Sequence, residues 1–164
     1  MRNAVLRALL LTVCVAIAGE SARAEGPADI APPAELKFRD FFVLPVGPKG
    51  LAPSARLLAL AGQRVRVVGY MARQEQPSAG IVIVAPLPVV LGDEDESFAD
   101  DLPATTLYVH LDAADRERPM PYTPGLLSFT GKLQLGAMSE ADGRMSFVRL
   151  QLDPGGSGTR AATR

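Results

Sequence analysis

The strongest constraint on the fold is a segment of strict alternation in the C-terminal half of the chain. From residue 126 to 135, leucines, a phenylalanine and a glycine alternate with Ser128, Thr130, Lys132 and Gln134. Successive side chains of a β-strand point to opposite faces, so this period predicts a strand with one buried and one solvated face. Together with a similar segment at 64–71, it predicts that one set of residues is buried (Val65, Val67, Leu127, Phe129, Leu133 and Leu135) and another exposed (Arg66, Thr130 and Lys132).

Five strand-like segments follow one another after Gly62, and they predict a β domain. They lie at residues 64–71, 80–85, 105–111, 126–135 and 145–152. Asp142 and Gly143 mark a tight turn between the last two, and Gly69 stands where a strongly bent strand needs a residue without a Cβ atom. No helical pattern of about ten residues separates any two of the segments, which argues against a parallel βαβ sheet.

These features predict a mainly β fold, a five-stranded antiparallel OB-like Greek-key barrel with a short N-terminal helix. An open sandwich is the alternative. Ser54 is a candidate N-cap for a helix over 55–61 that ends at Gly62, and a Phe-rich arm at 36–44 precedes it. Residues 112–125 contain three prolines and no apolar period, so we expect the helix to close the barrel rather than this connection.

The first 24 residues have the pattern of a secretory signal peptide. Arg2 and Arg7 give a positively charged segment before an apolar run at 8–18, and Ala22-Arg23-Ala24 has the small-x-small form of a cleavage site. The run is shorter than the roughly 20 residues of a membrane-spanning helix. We expect cleavage after Ala24 and a periplasmic or secreted protein without stable membrane insertion. The predicted organisation is a signal peptide at 1–24, a disordered linker at 25–35, the β domain at 36–152 and a disordered tail at 153–164.

The cysteine content and the charge balance exclude several classes of function. Cys14 is the single cysteine, and Val13 before it does not suit lipid attachment. The mature chain then has no thiol for disulfides, redox chemistry or zinc. The 17 basic and 18 acidic residues nearly cancel, and removal of the signal leaves 14 basic and 17 acidic residues. Without a bulk positive field, nucleic acid is not an expected partner.

The segment from Leu60 to Met71, LAGQRVRVVGYM, precedes strands that contain IVIVAP and LYVHL. This series resembles the uncharacterised, exported bacterial domain-of-unknown-function family numbered 3299 over about residues 36–152, with Gly-x-Arg-Val-x-Val-x-Gly-Tyr-Met as the best motif. The family commonly has a proline where this chain has Arg73, and many members carry a cysteine and a proline cluster where this chain has 92–103. No metal or redox role is therefore carried over. The resemblance implies a periplasmic domain of unknown activity, associated in some members with ABC-type export systems.

The acidic segment, residues 93–101, carries six acids in nine residues and predicts a long exposed loop between the second and third strands. Asp93 and Asp95 mimic the first ligands of a calcium loop, but the turn glycine and final glutamate of such a loop are missing. Three interpretations stay open, namely a solvated loop, a docking surface for a basic partner and a calcium site. The docking interpretation would use Asp93, Asp95, Asp100 and Asp101.

Two tyrosines and one histidine complete the set of candidate residues. Tyr70 and Tyr108 are candidate exposed aromatics, which would either contact a ligand or partner or cover the barrel as cross-strand pairs. His110 is the single histidine, and no Gly-x-Ser-x-Gly nucleophile elbow accompanies it. A metal site that combines it with Asp112 and Asp115 would match a frequent chance pattern. The sequence therefore predicts no catalytic residue, no metal site and no cofactor.

The sequence as a whole predicts a non-enzymatic periplasmic binding or adaptor module that uses Tyr70, Tyr108 and the acidic segment. The expected partner is a periplasmic protein, and the family resemblance implies a component of an ABC-type transporter. The alternative is a metal-dependent or hydrolytic enzyme with an unrecognised site near His110. A cavity in which His110 meets two or more acids would favour the enzyme, whereas a binding module needs only an open face.

Overall fold

The computed structural model describes residues 32–92, 102–156 and 159–161. The predicted signal peptide and the acidic segment lie outside the described residues. Within these ranges no helix has the length and apolar character needed to cross a membrane. The described chain is mainly β, as predicted. Its strands are β1 Ala34–Glu35, β2 Arg64–Met71, β3 Arg73–Gln74, β4 Ile81–Ala85, β5 Val90–Leu91, β6 Leu107–His110, β7 Leu126–Ser139, β8 Met145–Leu152 and β9 Thr159–Arg160.

All five predicted strands are present, as β2, β4, β6, β7 and β8. Antiparallel pairs join β2 to β4, β4 to β6, β7 to β8 and β2 to β7, whereas β6 and β8 pair in parallel. The pairings therefore lead from β2 through β4, β6, β8 and β7 back to β2. The prediction of a purely antiparallel sheet is wrong, because strand direction cannot alternate all the way around a circuit with an odd number of members.

The sheet extends beyond the range predicted from the sequence. β1 pairs in parallel with β2 before residue 36, and β9 pairs with β7 after residue 152. β7 itself runs to Ser139, four residues past the predicted end, and its register with β8 shifts between Leu135 and Met138. A separate parallel pair joins β3 to β5. These additions determine which parts of the central strands stay accessible.

The main core lies between the inner faces of these strands and the N-terminal arm. Val65, Val67, Leu127, Phe129 and Leu133 are buried there, as the alternation predicted. Leu135 is only half-buried, because it lies at the end of the regular β7–β8 register. On the opposite face, Arg66 and Lys132 are exposed as expected, while Thr130 is half-buried under the chain that follows β8.

Glycines allow the closest backbone approaches in this core. A Cβ atom on Gly131 would lie 2.1 Å from the Gln151 carbonyl oxygen of β8. A Cβ atom on Gly69 would lie 2.6 Å from the Phe38 ring and 2.9 Å from the Ala85 carbonyl oxygen of β4. All three distances are shorter than those that real Cβ atoms show, so a side chain at either position would force its neighbours to shift. The expectation that Gly69 must lack a Cβ atom agrees with this packing.

The arm and the short helix pack as the sequence predicts. A 3-10 turn at Phe38–Asp40 buries Phe38, and the neighbouring Phe41 is fully buried with its ring centroid 5.1 Å from that of Phe38. Helix α1, Ala55–Ala59, begins at Ser54, whose hydroxyl accepts a hydrogen bond from the Leu57 amide at 3.0 Å. After the helix, the Gly62 amide donates to the Leu133 carbonyl at 2.8 Å and so ties this end of the helix to β7.

The outer surface of the sheet has two contrasting parts. The covered face is the outer face of β4 and β6, where Ile81, Ile83 and Tyr108 form a second apolar cluster beneath Leu91. The open face is the outer face of β2 and β7, which carries Arg64, Arg66, Ser128 and Thr130. β4 is consequently buried on both sides, which its continuous apolar sequence Ile-Val-Ile-Val-Ala permits.

Candidate functional site

The two tyrosines of the predicted binding surface are both less accessible than expected. Tyr108 is 5% exposed and lies in the cluster of the covered face, so its assignment as an exposed aromatic is wrong. Leu91 of β5 and Ala72, the residue before β3, are buried in the same cluster, and β3 pairs with β5. Tyr70 is half-buried on β2, opposite Ala85 of β4. The remaining predicted residues, Asp93, Asp95, Asp100 and Asp101, lie outside the described residues.

His110 belongs to a buried polar network at the β7–β8 turn. Its Nε2 atom lies 3.0 Å from Oε2 of Glu140, whose side chain is almost completely buried. The Ser146 hydroxyl donates to the other oxygen of the same carboxylate. Arg149 donates from Nη1 to Ser146 Oγ at 3.1 Å and to the Gly136 carbonyl at 2.6 Å. The network therefore joins the end of β6 to the β7–β8 hairpin.

The order of groups in this network does not suit acyl-transfer chemistry. In a catalytic triad the imidazole lies between the hydroxyl and the carboxylate, so that it can take the proton of the hydroxyl. Here the Glu140 carboxylate lies between His110 and Ser146, and the hydroxyl donates to the carboxylate. A cavity of about 340 Å³ beside His110 is lined by one acid, Glu140. The arrangement can hold the hairpin in place, but it does not activate the hydroxyl.

Asp112 and Asp115 do not join His110 in a metal site. The Asp112 carboxylate accepts hydrogen bonds from the backbone amides of Ala114 and Asp115, at 3.0 and 3.2 Å. This side chain therefore caps the turn that follows β6. Across the described ranges no cluster of three or more His, Cys, Asp and Glu side chains has a spacing suited to a metal ion.

The most distinctive surface feature is an apolar groove that the sequence did not predict. It has a volume of about 590 Å³ and lies between the arm, helix α1 and the β7–β8 hairpin. Leu58 and Phe147 are the most exposed of its apolar residues, at 56% and 57%. The groove is lined by Phe42, Leu51, Leu57, Leu58, Leu135 and Phe147, among others.

Local sequence features explain why this groove is apolar. Helix α1 has leucines at consecutive positions 57 and 58, and they cannot both face the core. Leu57 is buried, and Leu58 is left on the outside. On β8, Ser146 and Val148 point inward and Phe147 outward, on the face where a polar residue is expected. Two features of the sequence could have indicated this groove, namely Phe147 at a position of β8 that alternation assigns to the outside and Leu58 directly after the buried Leu57.

The rim of the groove is connected directly to the acidic segment. Ala104 lines the groove, and the acidic segment ends three residues earlier in the sequence, at Asp101. In the sequence, the acidic segment therefore comes shortly before the part of the chain that lines the groove.

A second groove, the basic groove, lies on the open face and has a volume of about 470 Å³. Its lining includes Arg64, Arg66, Ser128, Thr130, Asp153 and Arg160. Arg66 also donates a hydrogen bond to the carboxylate of Glu35 on β1. This hydrogen bond and the positive charge of Arg66 lower the pKa of the exposed Glu35 carboxyl. The two grooves have no lining residue in common.

Comparison with known proteins identifies the fold. No protein-family model matches the sequence, and no curated protein matches it significantly. The crystal structure of a DUF3299 family protein from Pseudomonas aeruginosa is similar, with a TM-score of 0.52 and 11% sequence identity. The match covers 81% of this chain and 99% of that chain. The resemblance drawn from the strand motifs is thus confirmed for the fold, over nearly the whole of the solved structure.

Proposed function

We propose that this chain is an exported, non-enzymatic binding or adaptor module built on an OB-like Greek-key barrel. The circuit of five strand pairings supports the barrel assignment, because an OB fold is a partly open five-stranded Greek-key barrel. Its short β2–β4 contact, limited to two residue pairs, would be the open part. The TM-score of 0.52 to the DUF3299 protein supports a shared fold but carries no activity.

The apolar groove is the feature that best supports a binding function. Ligand and peptide sites are commonly concave and mostly apolar, and the volume of about 590 Å³ lies in the range of such sites. The occupant we propose is a short segment of a partner protein that carries apolar side chains for the groove and basic side chains for the acidic segment. Charge complementarity supports this choice, since the last of the six acids, Asp101, precedes Ala104 of the groove by three residues in the sequence.

The enzyme alternative has less support from the described residues. His110 meets one carboxylate rather than two, and the hydroxyl of Ser146 donates its hydrogen bond to that carboxylate instead of to the imidazole.

The partner of the proposed binding module would be found in the periplasm, and the family resemblance points to a component of an ABC-type transporter. This source of the partner is part of the proposal.

Photo-crosslinking in exporting cells tests the groove. A photoreactive amino acid at Leu58 or at Phe147 is expected to capture the same partner, identified by mass spectrometry. Leu87 is the matched control, because it is 68% exposed and does not line the groove. Equal capture at all three positions, no capture, or capture of a second copy of this chain alone would each contradict the proposal.

Neutralisation of the acidic segment tests the charge argument. The change of Asp93, Asp95, Asp100 and Asp101 to Asn should leave the free energy of unfolding almost unchanged, because exposed charges contribute little to stability. It should weaken partner capture, and wild-type capture should fall as salt rises from low to physiological strength. If millimolar calcium raises the melting temperature of the wild type and not of the variant, the segment is a calcium site instead. If neither response is seen, it is a solvated loop.

N-terminal sequencing of the protein recovered from the periplasm tests export. A mature N-terminus at Glu25 is expected from the Ala22-Arg23-Ala24 cleavage pattern. Retention of Met1, or a lipid on Cys14, would contradict the proposed route.

A further inference from the structure

The last part of β7 has one edge without a partner strand. β2 pairs with β7 at residues 126–132, and the chain just before β2 exchanges two backbone hydrogen bonds with Leu133, at 2.8 and 2.9 Å. β7 then continues to Ser139, while its other edge stays paired with β8 to the end. Within the described ranges no strand pairs with the first edge at residues 134–139, which we call the free edge.

Main-chain groups at both ends of the free edge point away from β8. Successive residues of a strand direct their N–H and C=O groups to alternate edges. Leu133 directs both groups to the β2 side, so those of Leu135 point to the same side. At the far end, the Glu140 amide donates to the Arg144 carbonyl across the hairpin at 2.8 Å, so the groups of the preceding Ser139 point to the free edge. Such groups can hydrogen-bond to an added strand.

The free edge lacks the side chains that commonly prevent strand addition. Unpaired edge strands of natural proteins often carry lysine, other charged residues or proline. Residues 134–139 read Gln-Leu-Gly-Ala-Met-Ser and contain none of these. The register shift between Leu135 and Met138 bends the edge. This bend disfavours pairing with a second copy of the chain, because an antiparallel pair of identical edges would place the two bends opposite each other.

The free edge also borders the apolar groove. Leu135 and Gly136 line the groove from β7, while Leu58 lines it from helix α1 and Phe147 from β8. A chain that pairs with the free edge would therefore run beside the groove. Because side chains alternate along a strand, every second side chain of that chain would be directed to the groove and the others away from it.

We propose that the partner segment binds in an extended conformation and adds a strand to the free edge of β7. This inference rests on the proposed function, and it specifies the pattern of the occupant. Apolar side chains at every second position enter the groove, and the basic side chains lie at the positions between them. Main-chain hydrogen bonds to the edge contribute affinity, and the apolar side chains contribute selectivity.

Fluorescence anisotropy with synthetic peptides tests this mode of binding. The probe is a ten-residue peptide in which lysine alternates with valine and leucine, titrated with the protein recovered from exporting cells. It should bind more tightly than an isomer of the same composition whose apolar residues recur at the three- and four-residue spacing of a helix.

N-methylation of the peptide separates main-chain pairing from apolar contact. One version is methylated at every lysine and the other at every apolar residue, so each loses the N–H groups of one edge and keeps all its side chains. In a strand added to β7, only one of these edges faces the protein. One version should therefore bind about tenfold or more weakly, while the other stays within about threefold of the unmethylated peptide.

Phe147→Ser should weaken binding of the unmethylated peptide by about tenfold, because it removes an exposed apolar wall of the groove. Leu87→Ser is the matched control, since Leu87 is 68% exposed and does not line the groove. Circular dichroism checks the fold, and Leu58→Ser replaces Phe147→Ser if that variant does not fold.

Strand addition is overturned if no peptide binds, if the helical isomer binds more tightly, or if the two methylated versions bind equally well. Dependence of the helical isomer on Phe147 would keep the groove as a binding site and reject the extended mode alone. Capture in cells at Leu58 and Phe147 decides the proposed function separately.

Discussion

The two outer faces of this sheet differ in whether a ligand can reach them. On the covered face, Ile83 and Tyr108 lie beneath Leu91, because the β3–β5 pair holds the intervening chain against β4. On the open face, Arg66 and Thr130 border a groove that no described strand covers. In the proposed OB-like barrel, the covered face belongs to the second and third barrel strands, where ligands of this fold usually bind.

This difference shows why a fold alone does not locate a binding site. In the proposed barrel the usual ligand face is occupied by the chain's own apolar residues, so the proposed binding surface lies elsewhere, in the apolar groove beside α1. Function depends on the side chains a face carries and on what covers it. The following predictions measure how strongly the interior, the covered face and the open face differ.

The interior should show the largest effect. Phe129 is fully buried in the main core, and Phe129→Ala should lower the free energy of unfolding by about 3–5 kcal/mol. The cause is the lost apolar burial together with the cavity that remains. Denaturant titration measures the change, and a loss below about 1 kcal/mol would contradict the assignment of the inner face of β7.

The covered face should behave like an interior and the open face should not. Ile83 is 1% exposed, and Ile83→Ala should cost about 2–4 kcal/mol. Val68, on the open face of β2, is 38% exposed, and Val68→Ala should cost less than about 1 kcal/mol. Equal losses in denaturant titrations of the two variants would remove the distinction between the faces.

The charged residues of the open face should matter little for stability. Arg66→Gln and Arg160→Gln should each change the free energy of unfolding by less than about 0.5 kcal/mol, since both residues are exposed. Thermal unfolding at low salt is the measurement. A large destabilisation would show that these arginines hold the open face together and would contradict the contrast with the covered face.

The smallest effect concerns the pH dependence of the Glu35–Arg66 pair. The pKa of Glu35 is lowered in the folded protein, by the hydrogen bond from Arg66 and its charge, so folding favours the ionised carboxyl. The stabilisation is present above the ordinary carboxyl pKa of about 4.3 and is lost as pH falls through the lowered value. Glu35→Gln should therefore lower stability at pH 7 and have a vanishing effect in acid. The control Glu75→Gln, at another exposed glutamate, should not reproduce this trend in denaturant titrations across pH.

Local features of the sequence predicted the strands and the helix because each depends on neighbouring residues. The period of two at 126–135 identified the buried face of β7, and Ser54 identified the start of α1, which ends at Ala59, two residues before the predicted end. The predicted site was less accurate. Tyr108 alternates correctly along its strand, yet its exposure depends on Leu91, which lies 17 positions away in the sequence. The basic groove was likewise missed, because its residues come from β2, β7 and the chain after β8, which only the strand pairings bring together.

The sequence by itself determined where strands form and which of their faces avoids water, since side-chain period and turn residues act over a few positions. Only the tertiary structure decided strand direction and coverage. Five strands paired in a circuit must contain at least one parallel pair, and here that pair is β6 with β8. Whether an outer face is covered depends on apolar residues that are distant in the sequence, because their burial is favourable wherever the fold brings them together. Leu91 is buried against the outer face of β4 and β6, whereas the arginines of β2 are left on the open face.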